Sequence, residues 1–186
     1  MFSRDKRDVR RVSQPVYKLL LAAHVLVSSA WLGIAFAKII LGVAAVTTDA
    51  PAASRSLYLS MEAVNVAFPP TAIATLVTGV LLSMGTKWGL LQYYWVATKL
   101  ALTVGVVVTG IALVDRLIQR SLSVPSVGDG TILGAALAPP AILISLSAAH
   151  VLMLGVATVL SVYKPLGRTL FGRRRAPRPS HGENLA

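Results

Sequence analysis

The chain has 186 residues, 55% of them hydrophobic and only 13% charged, with a formal net charge of +11. Soluble domains carry about 25% charged residues, so this composition excludes an ordinary soluble globular domain. The chain has no cysteine, which excludes disulfides, iron–sulfur clusters and thiolate metal sites.

The placement of the positive charge shows what it serves. Arg4, Lys6, Arg7, Arg10 and Arg11 precede the first apolar segment, and Lys164, Arg168, Arg173, Arg174, Arg175 and Arg178 follow the last. Lys and Arg collect on the cytoplasmic flanks of membrane helices, where anionic lipid also attracts them. No basic soluble domain is present to carry nucleic-acid binding. The pattern therefore predicts an all-α, four-helix transmembrane bundle with both ends cytoplasmic. Residues 1–15 form a basic N-terminal segment, 16–163 the membrane domain, and 164–186 a basic tail whose composition predicts disorder.

The first apolar segment covers residues 16–46. It is about twice the length of a signal-peptide core, so it reads as a retained span, tilted or protruding from the bilayer. Pro15 suits the first turn of a helix. The second segment covers 57–84, with Pro69-Pro70 predicting a kink or a short preceding helix and Gly85 a stop. The third covers 91–118, with Asp115, Arg116 and Arg120 leaving the membrane. The fourth covers 132–163 and holds a second double proline, Pro139-Pro140. Each half thus pairs a long helix with one that carries two prolines, a weak internal echo. Small and hydroxylated residues such as Thr71, Thr75, Thr78, Gly79, Thr103, Gly105, Thr109, Gly110, Ser145, Ser147 and Gly155 suit close helix packing in lipid. Trp88, Tyr93 and Tyr94 fit an interfacial aromatic belt.

Ionisable groups inside the spans are costly and mark functional positions. Tyr17, His24, Trp31 and Lys38 follow one another at intervals of seven, close to two helical turns, and so share one helix face. His24 lies roughly 12 Å from the start of its helix and His150 roughly 20 Å from the end of the fourth, at 1.5 Å per residue. Neutral imidazole is a good iron ligand, and helix bundles build cofactor sites from facing helices. Two histidines on two helices match a b-type haem site. The competing reading is that a histidine hydrogen-bonds Ser or Thr on a neighbouring helix, with Ser28 and Ser147 each within a turn of one. Lys99 either snorkels to the interface or pairs with a buried anion such as a haem propionate. Lys38 and Glu62, both near the outer end, are expected to form an ion pair that makes their burial tolerable. Trp31 either lines a porphyrin pocket or packs the core. No phosphate loop, dinucleotide fingerprint, nucleophile elbow or HExxH motif is present.

The string His24-Val-Leu-Val-Ser-Ser-Ala-Trp31-Leu-Gly33 resembles the first-helix signature of a loose group of small bacterial membrane proteins. The group includes the copper-resistance D-type domain, the HemJ-type protoporphyrinogen oxidase and a mainly actinobacterial four-helix family. Trp95-Val-Ala-Thr-Lys99 resembles the Trp-x-x-x-Lys element that opens a later helix in those proteins. The resemblance implies a haem-associated bundle, with His24 as axial ligand and Lys99 as a functional residue. His150 has no counterpart in it.

These readings converge on haem b held by His24 and His150, with Trp31 and Lys99 lining the pocket. The function expected is electron transfer or haem-linked redox chemistry, in a homodimer or larger membrane complex. Two rivals stand beside it: a cofactor-free accessory or scaffold subunit, and a small transporter subunit that uses Lys38, Glu62 and the kinked helices.

Overall fold

A computed structural model describes residues 13–85, 92–123, 138–163, 167 and 169. The described residues are helical, with no strand among them. The basic segments expected at the two ends, residues 86–91 with Trp88 of the expected aromatic belt, and residues 124–137 with the expected start of the fourth segment lie outside them.

Helix α1 runs Gln14–Thr47, with Pro15 in its first turn where a missing N–H costs nothing. After a short turn, α2 (Pro51–Asn65) and α3 (Phe68–Met84) form the second span, Pro51–Met84. The span thus starts six residues earlier than the sequence pattern predicts, because Pro51 opens a helix whose first turns are polar. The expected interruption is present. Pro69 and Pro70 lack the N–H groups that would bond the carbonyls of Asn65 and Val66. The chain tightens instead, with Ala67 N–H donating to Val64 O at 3.2 Å, and α3 then starts afresh.

The third span runs Tyr94–Ser123, as α4 (Tyr94–Thr109), a π-helical turn (Gly110–Val114) and α5 (Asp115–Ser123). Asp115, Arg116 and Arg120, expected to lead the chain out of the membrane, sit exposed on a helix that continues to Ser123. The fourth span, α6, runs Pro139–Tyr163.

Four spans of this length and hydropathy are what a bilayer requires. Their outer surfaces agree: Leu26 is 71% exposed, Leu152 69% and Val162 71%, an arrangement that water would penalise and acyl chains accept. The protein is a multi-pass membrane protein with an apolar, lipid-facing exterior.

The helices pack with α1 against α2, α3 and α6, and with α6 also against α4 and α5. Two apolar clusters occupy different levels. One, toward the Thr47 end of α1, joins Ala45, Tyr58, Met61, Val114, Leu117, Ile118 and Leu143. The other, at mid-bundle, joins Trp31, Phe68, Ala72, Val106 and Leu154. In lipid, such contacts gain from close fit rather than from expulsion of water. Polar side chains lie around the second cluster, toward both ends.

Candidate functional site: a buried lysine beside a broken helix

The heptad face read from the sequence is the inner face of α1. His24, Trp31 and Lys38 are buried there together with Ala35, Gly42 and Ala45. Tyr17, at the near end of the series, is half-buried.

Lys38 is fully buried, at 0% exposure. Its ammonium donates to Asn65 Oδ1 at 3.2 Å and lies 4.4 Å from the centre of the Phe68 ring. Both partners flank the break between α2 and α3, so the proline pair sets them in place. The expected ion pair with Glu62 does not form. Glu62 Oε1 instead accepts from Gln119 Nε2 on α5 at 2.8 Å. The physical reason is helical phase: three residues of α-helix turn Glu62 roughly 60° away from the direction of Asn65. Lys38 therefore carries its charge inside the bundle without a carboxylate among the described residues.

Phe68 is the hub of this region. It meets Trp31 edge-on at 5.7 Å between centroids and stacks with His150 at 6.2 Å. On its remaining side stands Gly110, where the π-helical turn begins; a Cβ there would overlap the Phe68 ring. The turn's extra width and the absent side chain together leave room for the aromatic ring. Mid-membrane π-turns of this kind recur at functional sites.

His150 is 1% exposed. Its Nε2 lies 2.8 Å from Thr109 Oγ1, and that hydroxyl's single hydrogen is directed at Gly105 O, 2.7 Å away. The hydroxyl must then accept, so Nε2 carries the proton and Nδ1 holds a lone pair. This buried Nδ1 has no partner, and neither have Trp31 Nε1 and Thr75 Oγ1.

His24 occupies a second station, toward the Gln14 end. Its Nδ1 lies 2.8 Å from Thr78 Oγ1, whose hydrogen points to Ala74 O at 2.7 Å. By the same logic Nδ1 donates and the free lone pair is on Nε2. Gly79 lets the ring approach α3 closely, since a Cβ there would sit 3.1 Å from His24 Cε1. Neither neighbouring serine serves a histidine: Ser28 bonds Val25 O and Ser147 bonds Leu143 O within their own helices. Lys99, half-buried, donates to Ser161 Oγ at 2.7 Å. Lys99 is within electrostatic reach of His24, and Lys38 of His150.

The two histidines do not share a level. His24 is held at Thr78 and His150 lies against Phe68, ten residues apart on α3, which is about 15 Å along the helix. Trp31 and Phe68 fill the interior between them at 0% and 1% exposure. A haem ligated by both rings does not fit this interior. No group of three His, Cys, Asp or Glu side chains able to hold a metal ion occurs among the described residues.

Sequence reasoning singled out His24, His150, Trp31, Lys38 and Lys99 but missed Asn65, Phe68, Thr78 and Thr109 as their partners. The only available signal for Asn65 and Phe68 was their position just before the double proline. No protein-family model matches the chain, and comparison with curated proteins and with solved structures likewise gives no match.

Proposed function

We propose that the protein is a small ion-translocating membrane subunit in which protons are relayed through the bundle interior by way of Lys38. The observation that carries this reading is the fully buried Lys38, hydrogen-bonded among the described residues to Asn65 alone and set beside a broken helix. An ionisable side chain in such a place is expensive and is kept for what its charge does. Broken helices at membrane depth are tolerated where they line a site.

The distribution of polar groups supports the same reading. Lys99 with Ser161, then His24 with Thr78, then the unpartnered Thr75 and Trp31, then Lys38 with Asn65 and His150 with Thr109, and last Glu62 with Gln119 form a series along the bundle. The relay requires internal water to bridge the steps between these groups as the side chains relax. A chain of four spans would complete such a path as a homodimer or within a larger complex. The membrane proposed is the bacterial cytoplasmic membrane with both termini inside, on the placement of the basic residues.

The test is proton flux into liposomes containing the purified protein, driven by a potassium diffusion potential and read by a trapped pH dye. Wild type should exceed empty vesicles several-fold, and Lys38→Met should return to background. Wild-type flux equal to that of empty vesicles would overturn the proposal.

A second reading retains a haem on His24 alone. One feature favours it: Thr78 fixes the tautomer that leaves Nε2 free, the usual arrangement for a ligating histidine held by its other nitrogen. Haem would supply one-electron redox chemistry there, with His24 as axial ligand, Thr78 orienting the ring and Lys99 as a nearby cation. Absorbance of protein purified from haem-replete cells tests it. A Soret band lost in His24→Ala but kept in His150→Ala supports it, and a colourless wild type refutes it.

A further inference from the structure

We propose that the Lys38 region binds a small monovalent inorganic anion of halide size, held by the Lys38 ammonium, the Trp31 indole N–H and the Asn65 amide. The inference rests on Lys38 being the charged centre of the pathway proposed above, and it names that charge's counter-ion.

Three observations lead to it. First, the interior is electrostatically one-sided. Lys38 is fully buried and Lys99 half-buried, and no carboxylate forms an ion pair with either among the described residues. The nearest candidate, Glu62, is committed to Gln119. A buried cation without an anion carries a desolvation cost that a recruited anion would lower further.

Second, hydrogen-bond donors are in surplus. An ammonium has three N–H donors; Lys38 places one on Asn65 Oδ1 and turns a face to the Phe68 ring. Trp31 Nε1, which can only donate, is fully buried and has no acceptor. An amide that accepts from Lys38 through its oxygen also presents its own two N–H donors nearby. The unpaired His150 Nδ1 on the same ring is uncharged and cannot balance the lysine; a halide would both accept these hydrogen bonds and carry the balancing charge.

Third, the groups surround a single side chain. Trp31, Lys38 and His150 all contact the Phe68 ring, and Phe68 stands at the first position of α3, directly after the break. Rotation of that ring would let the indole N–H and the ammonium face one space. A spherical, weakly hydrated ion would demand less room than an oxyanion in an interior where all of these side chains but Asn65 are buried to 1% exposure or less.

The experiment uses full-length protein in detergent, with Trp88→Phe and Trp95→Phe introduced so that Trp31 alone fluoresces. Sodium bromide replaces sodium gluconate at constant ionic strength, and Trp31 emission and Tm are followed together. Specific binding gives saturable quenching and a Tm that rises with bromide. Lys38→Met should weaken half-saturation by about tenfold or more, the loss expected of one charge-assisted hydrogen bond. Lys18→Gln, a change at an exposed lysine of the same helix, should leave it unaltered. Asn65→Leu provides an independent variant should Lys38→Met fail to fold, and it should weaken binding several-fold.

Linear or absent quenching in wild type overturns the inference, as does saturable quenching that survives both Lys38→Met and Asn65→Leu. The two proposals fail separately. Lys38-dependent proton flux without bromide binding removes the anion and leaves the relay; bromide binding without flux removes the relay and leaves an anion site.

Discussion

Replacing Lys38 by Met separates a lysine kept for function from one that holds the bundle together. Methionine matches the unbranched stem and adapts to irregular surroundings, so the change removes charge with little loss of volume. The wild-type lysine carries an effective burial penalty of several kcal/mol for its ammonium. Against this stand the bond to Asn65, worth about 1.5–3 kcal/mol for a charged donor, and the contact with the Phe68 face, worth about 2 kcal/mol when desolvated. Asn65 is only half-buried, so its freed oxygen can be reached by water and adds little further cost. The terms nearly cancel. Lys38→Met should be within about 1 kcal/mol of wild type, or more stable, while losing proton flux. The assay is reversible unfolding in mixed micelles by denaturing detergent, followed by the helical signal, beside flux in liposomes. Destabilisation by more than about 3 kcal/mol, the cost of stripping a compensated buried charge of its partner, would refute the reasoning and make Lys38 a structural keystone.

Other outcomes follow from the same contacts. Gly110→Ala places a methyl against the Phe68 ring and should destabilise by about 1–3 kcal/mol through overpacking; Phe68→Leu in the same chain should restore part of that loss in a double-mutant cycle. Thr109→Val takes the acceptor from His150, whose other nitrogen is already unpartnered, and should cost about 1–3 kcal/mol. Thr78→Val should cost less in the same melt, because His24 is 9% exposed against 1% for His150. Gln119→Leu releases Glu62 at the exposed end of α5 and should change stability by less than about 1 kcal/mol, the ordinary scale of exposed polar contacts.

How far the sequence discloses this molecule depends on whether an interaction is local. The face of α1 was legible because helical periodicity alone puts His24, Trp31 and Lys38 in line, and they are buried together. The break before Pro69-Pro70 was legible because two missing N–H groups cannot be hidden in a helix. Interhelical partners were not legible. Thr78 and Thr109 are among many hydroxyls that bond back to their own helices, and nothing in one sequence marks the two that also accept from histidine. The third span runs five residues past its expected end at Ile118, with Asp115, Arg116 and Arg120 facing outward and Leu117 and Ile118 turned to the core.

The most instructive failure concerns Lys38. Opposite charge and similar depth argued for Glu62 as its partner, yet the break in the second span aims Asn65 at the lysine and leaves Glu62 to Gln119. Had the pair formed, Lys38 would need no explanation beyond mutual neutralisation. A sequence one helical step away from that solution instead keeps a bare charge in the core. Folding preference does not account for such a choice, since an apolar residue of equal length would remove the penalty. Places where local rules fail are where function is to be sought, and here the failure falls on the same side chain that the broken helix, the π-turn at Gly110 and the unpartnered indole of Trp31 surround.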